Sequence, residues 1–232
     1  MKRLRNLVLA VTAVVLALAF VPTSAWAATT QIHRNDQFGA LYSGKVRATL
    51  LGNVSISTTL ATATCNVGVI DGTVQSNGTM LNVSAYNFSN SPGPQCPNSA
   101  GGQSSVTAVG LPWNGGNVTF APVLPNGRDG TITLNSVKVT SSSTGWFGTI
   151  SCTYKGSGAG NSIVLDAFNS TNPNRPVIGV VQAQAGAVNY TLNKDSGSFL
   201  CPSTASFSAT FQLLGETVAN SGVYNQKLHL TA

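Results

Sequence analysis

Apolar residues recur along this chain with a period of two, and no helical period competes with it after residue 27. The clearest instance is residues 145–154, Gly-Trp-Phe-Gly-Thr-Ile-Ser-Cys-Thr-Tyr. Trp146, Gly148, Ile150, Cys152 and Tyr154 fall on one side of an extended strand; Phe147, Thr149, Ser151, Thr153 and Lys155 fall on the other. The alternation recurs over 42–50, 54–60 and 188–192. It recurs again where Phe207, Ala209, Phe211 and Leu213 oppose Ser206, Ser208, Thr210 and Gln212. The expectation is an all-β chain, an antiparallel β-sandwich or barrel-like sandwich of about a dozen strands.

Turn chemistry divides the strands. Asp71-Gly72, Asn77-Gly78, Asp129-Gly130 and Asp195-Ser196-Gly197 read as tight turns. Pro112 to Gly116 reads as a turn carrying Trp113, and 177–183 as a strand. Between 131 and 140 the apolar phase slips by one residue, from Ile132 and Leu134 to Val137 and Val139. That slip predicts a bulge at Asn135-Ser136.

Residues 1–27 read as an export signal. Lys2, Arg3 and Arg5 open it, an apolar run follows to Val21, and Ala25-Trp26-Ala27 fits a small-x-small cleavage site. The protein is therefore expected to be secreted, extracellular or cell-wall associated, with no membrane span in the mature chain. All four cysteines lie beyond the signal, so two disulfides are expected. The segment 28–232 is expected to form a single β-sandwich domain, or a pseudo-repeat of two halves over about 40–120 and 121–232. The repeat is suggested by Cys96-Pro97-Asn98-Ser99-Ala100 and its echo Cys201-Pro202-Ser203-Thr204-Ala205. It favours pairing within halves, Cys65–Cys96 and Cys152–Cys201, among the three pairings four cysteines allow.

Gly148-Thr149-Ile150-Ser151-Cys152, the strand at 161–168 and Phe199-Leu200-Cys201-Pro202-Ser203 together resemble a broad group of secreted actinobacterial β-rich proteins. That group carries a Gly-Thr-Ile-Thr-Cys strand and a later Leu-Cys-Pro segment. The chain differs in having Ser151 where Thr is usual, and in a longer insert at 169–198. The resemblance implies export and a disulfide-bonded all-β fold, and no assigned activity.

Composition limits the chemistry on offer. Only 8% of residues are charged, and nine basic side chains against six acidic ones follow the signal, with no basic cluster. A nucleic-acid partner is not expected, because such binding calls for a dense basic face. No cofactor is expected, and no metal, since Cys-x-x-Cys and His-rich spacings are missing. The histidines are His33, in a polar lead-in, and His229, placed on the polar face of the last strand as a solvated residue. No Gly-x-Ser-x-Gly elbow supports a serine nucleophile. Asp71, Asp129 and Asp195 are assigned to turns and Asp36 to the polar lead-in, so Asp166 and Glu216 are the only non-turn carboxylate pair in the C-terminal half that a secreted hydrolase could use.

The favoured expectation is instead a non-enzymatic binding protein. Its partner is not specified by the sequence, and a cell-wall polymer or glycan is the candidate. Trp113, beside Asn114 and Asn117, is the proposed ligand-binding group. Trp146 and Tyr154 share a face with Cys152 and are assigned to the core. A self-assembling surface or matrix protein is a further alternative, given the low charge and the strand content.

Overall fold

The computed structural model describes residues 29–232 except Asn126. The expected signal peptide, 1–27, lies outside the described residues. Among those described there are sixteen strands and no helix. The first six are β1 (Gln31–Arg34), β2 (Gly44–Leu50), β3 (Val54–Ser57), β4 (Thr62–Cys65), β5 (Val67–Val74) and β6 (Leu81–Ser89). Next come β7 (Cys96–Pro97), β8 (Gln103–Ala108), β9 (Trp113–Phe120), β10 (Gly130–Leu134) and β11 (Lys138–Gly145). The last are β12 (Gly148–Gly156), β13 (Ile163–Phe168), β14 (Ala183–Gly197), β15 (Thr204–Gly215) and β16 (Gln226–Thr231).

Eight of these close into an antiparallel barrel in the order β2, β5, β6, β9, β10, β13, β14, β15 and back to β2. Closure removes the free edges that a hydrophobic sheet would otherwise offer to other chains. Four staves come from the segment 40–120 and four from 121–232, and one buried cluster runs through both segments. The period of two does the sorting. Ala48, Ile70, Ile132, Leu165, Ala185 and Phe211 line the interior, while Arg47 and Asp71 make an ion pair at 2.6 Å that leaves both side chains partly exposed.

β14 and β15 outlast the barrel. Beyond a register shift between Ala187 and Tyr190, β14 takes β12 as its other neighbour and β15 takes β3. A second ring follows from there: β15, β3, β4, then β7, β8, β11, β12 and β14. Its seam, between the short strands β4 and β7, is the single bridge Ala63↔Asn98 reinforced by the Cys65–Cys96 disulfide. The second disulfide, Cys152–Cys201, ties β12 to the segment entering β15. Gly197 lies against it; a Cβ there would meet the Cys201 Sγ at 2.9 Å, and its φ of 122° is a region side chains avoid. Both within-half pairings are thus formed, and no free cysteine is present.

The barrel's open end is covered by the β1–β16 ribbon. Ile32, Leu228 and Leu230 are buried beneath it. Asn169, itself buried, holds the ribbon in place: its Nδ2 donates to Leu230 O at 2.9 Å, and its Oδ1 accepts from Leu230 N at 2.7 Å. Nearby, the buried Tyr42 hydroxyl donates to Lys45 O and accepts from Glu216 N at 2.8 Å. Gly215 permits this approach, since a Cβ there would stand 2.5 Å from the Tyr42 ring.

Several local expectations change. Asp71-Gly72 is not a turn but a register shift inside β5, where Asp71 answers Arg47. Asp195 to Gly197 continues β14, with Asp195 bonded to Lys138 at 2.8 Å and Lys155 at 3.1 Å. Asn135-Ser136 is a corner between strands rather than a bulge, with Ser136 at a φ of 59°. There the chain leaves the barrel for the second ring, so the next strand meets new neighbours and its apolar phase restarts. The segment 177–182 is a loop, and β14 begins only at Ala183. Arg175 organises that loop by donating to the carbonyls of Asn172, Ile178 and Val180.

Candidate binding surface

The residues first proposed as a ligand site do not form one. Trp113 is 2% exposed. Its Nε1 donates to Val109 O at 2.9 Å, and its ring packs against Tyr86 at a centroid distance of 5.6 Å. The glycine-rich flank is not a turn but the start of β9, which carries the indole into the core. Asn114 is exposed, and Asn117 is partly buried with its amide bonded to Thr119 Oγ1 at 2.8 Å. The three residues therefore share no accessible surface.

Trp146 is the reverse case. It was expected in the core and is 77% exposed. Gly145 pairs with Gly148, so Trp146 and Phe147 are the two-residue loop of the β11–β12 hairpin. Phe147 turns back to pack on the core, and the indole stands out edge-on to it at 5.5 Å. Phe199, two residues beyond the Gly197–Cys152 pair, is 92% exposed.

The titratable groups are occupied structurally. Both Glu216 carboxylate oxygens accept backbone N–H groups, from Asn220 at 2.7 Å and Gly222 at 2.6 Å. Those bonds, that from Gly222 first, hold its carboxyl below the usual range against the opposing effect of burial. Asp166 pairs with Arg128 at 3.1 Å on the outside of β13. The two carboxylates offered for hydrolysis thus serve separate structural contacts. Asp129 Oδ2 accepts from Asn169 N and Asn172 Nδ2. His229 is buried rather than solvated, 8% exposed and paired across the ribbon with His33. Burial pushes its imidazole below the ordinary value, and Asp129 and Asp36 oppose that shift. Among the described residues no group of three or more His, Cys, Asp or Glu could hold a metal, and no helix is long and apolar enough to cross a membrane.

What the register assembles is a surface of hydroxyls on the second ring. Thr107, Thr140, Thr153 and Ser196 face each other across β8, β11, β12 and β14. Ser105, Ser142 and Ser151 form the next row. On the other side of β14, Thr191, Ser206, Ser57 and Thr62 make a row across β14, β15, β3 and β4. Ser208, Ser55 and Thr64 make another. Lys138 and Lys155, bridged by Asp195, interrupt the surface between the two sets.

Neighbouring hydroxyls within rows are bonded: Thr140 to Thr153 at 2.9 Å, Ser142 to Ser151 at 3.2 Å and Thr62 to Ser57 at 3.0 Å. Strand geometry spaces them about 4.8 Å along a row, with rows about 6.7 Å apart. A shallow depression of about 270 Å³ lies between 57–59, Thr191 and 204–206. The signal for this surface is present in the sequence, as Ser and Thr at alternate positions. What sequence lacks is the lateral register that lines the strands up.

Comparison of the chain with family models, with curated proteins and with solved structures returns no significant match.

Proposed function

We propose that this chain is a secreted, non-catalytic binding protein whose hydroxyl-covered ring holds a neutral polysaccharide of an extracellular wall or matrix. The observation that carries this reading is the alignment of Ser and Thr in rows across seven strands, with one short charged interruption. A hydroxyl donates one hydrogen bond and accepts others, as each sugar hydroxyl does. A single such bond is worth about 0.5–1.5 kcal/mol net in water, so affinity requires many at once. A neutral polymer suits a face that offers few charges. Strands also twist by about 20–25° relative to their neighbours, so the rows turn around the ring. That curvature suits a flexible chain laid over the surface better than a flat crystal plane. Trp146, at the hairpin end of the rows, offers the exposed aromatic face on which a sugar ring can stack. Export is supported by the two disulfides and by the leader read from the sequence. The resemblance to secreted actinobacterial proteins accords with that setting.

The test is retention on immobilised polysaccharides. A neutral glucan or related neutral polymer should retain the protein, an anionic polymer should not retain it better, and Trp146→Ala should weaken retention with the melting temperature unchanged. Equal passage through all of these resins would sink the proposal.

A further inference from the structure

We propose that the hollow of the barrel is a binding site for a small apolar molecule, an aromatic ring or a short branched hydrocarbon. The barrel interior is not uniformly filled. At the end nearest the second ring, Tyr86, Trp113, Phe88 and Phe211 pack ring against ring. Beneath the β1–β16 ribbon the interior holds a cavity of about 110 Å³ to which its walls expose only apolar atoms. An eight-stranded barrel is wide enough to be filled by its own side chains or to hold one small ligand, so the inward residues decide which occurs. Here the inward positions include Ala48, Ala167 and Ala185, on three different staves. Larger aliphatic residues at these places would occupy the space.

The cavity is a poor site for water. A buried water needs about two to four polar partners, and apolar cavities of about 150 Å³ stay dry yet accept benzene. Arg47, Asp71, Asn169, Gln184 and His229 also border it, but none of them exposes polar surface to the hollow, and Arg47 and Asp71 are paired with each other. Asn169 is paired in both directions with Leu230, and Gln184 with Val177 through bonds of 2.9 and 2.6 Å. These buried amides form a clasp at the mouth. They fix the ribbon and the 169–182 loop over the hollow and leave hydrocarbon facing inward. Lifting of β16 would widen the way in. Its main-chain pairing to the barrel is confined to Leu214↔Lys227 and Gly215↔Gln226, so the Asn169 bonds are the adjacent restraint. The site shares no residue with the hydroxyl rows, and either proposal can fail without the other.

Benzene is the probe. Titrated into the full-length protein and followed through methyl resonances of Ile132, Leu165 and Leu230, it should give saturable one-site shifts. Ala185→Leu, which fills the hollow, should weaken binding at least about tenfold, equivalent to about 1.4 kcal/mol. Ala48→Val, a smaller intrusion from another stave, should also weaken it and serves if Ala185→Leu does not fold. Retention on polysaccharide should be unaffected by either change. Shifts that rise without saturation, or filled variants that bind benzene as the parent does, would overturn the proposal.

Discussion

Replacing Asn169 with alanine should separate the ribbon from the barrel energetically, and the size of the effect can be worked out. The side chain satisfies both backbone groups of Leu230 at 2.9 and 2.7 Å, in a place where the residue is only 6% exposed. Alanine leaves a buried N–H and a buried C=O without partners. Each orphaned group costs about 1–3 kcal/mol, so the loss should be about 2–6 kcal/mol. For a domain of this size about 1 kcal/mol moves the melting temperature by about 2–4 °C, which puts the expected fall at or above about 4 °C. Asn169→Asp is the informative companion. Its carboxylate can still accept from Leu230 N but cannot donate to Leu230 O, and it sits near the Asp129 oxygen that already binds Asn169 N at 2.7 Å. It should therefore be destabilised as well at neutral pH, despite its near-identical shape. Thermal unfolding and amide exchange at Leu230 read both variants. A melting temperature within about 2 °C of the parent for Asn169→Ala, with Leu230 still protected, would refute the assignment of Asn169 as the clasp.

Three further outcomes follow from the same contacts. Tyr42→Phe should cost about 0.5–1.5 kcal/mol in urea unfolding, because the hydroxyl's bonds to Lys45 O and Glu216 N are lost while those two groups keep each other at 3.0 Å; an unchanged midpoint would count against that staple. The double change Cys152→Ser with Cys201→Ser should cost about 4 kcal/mol in the chain-entropy model for a loop of separation 49, slightly more than removing Cys65–Cys96 with its separation of 31; the reverse ranking would show that the β4–β7 seam, not loop length, governs the loss. Asp195 is held below the ordinary carboxylate range by its bonds to Lys138 first and then Lys155. Its pairing should stabilise the fold above the normal Asp range and be lost as pH falls through the lowered value. Carboxyl titration by NMR should show a depressed midpoint that rises in Lys138→Met, and a midpoint at or above about 3.9 in the parent would contradict it.

The parts of this structure that were legible in the sequence are those set by single-strand periodicity. Alternation at 145–154 and 206–213 announced which side chains would be buried, and Ile150, Cys152, Tyr154, Phe207 and Phe211 are. The echo around Cys96 and Cys201 pointed to the pairing that formed. What periodicity does not carry is which strand lies beside which. Asp71-Gly72 resembles a turn until Arg47 arrives from β2, 24 residues earlier in the chain. Trp113 and Trp146 exchanged places for the same reason. The glycines after Trp113 lie within β9, whereas Gly145 and Gly148 bracket Trp146 as the closing pair of a hairpin. That Gly-x-x-Gly spacing was the signal that could have placed Trp146 at the surface. The hydroxyl rows were visible strand by strand, but only register makes them a surface.

If the hydroxyl rows hold neutral polysaccharide as proposed, binding should depend on hydroxyls and not on charge. Retention on a neutral polysaccharide resin, compared at low salt and at about 1 M salt, where charge interactions are screened within about 3 Å, separates the two. The parent should be retained equally under both conditions, and a Thr140→Val, Thr153→Val variant, which keeps β-branched shape and removes two bonded hydroxyls, should elute early. Retention that collapses in salt, or that survives loss of the hydroxyls, would contradict the claim.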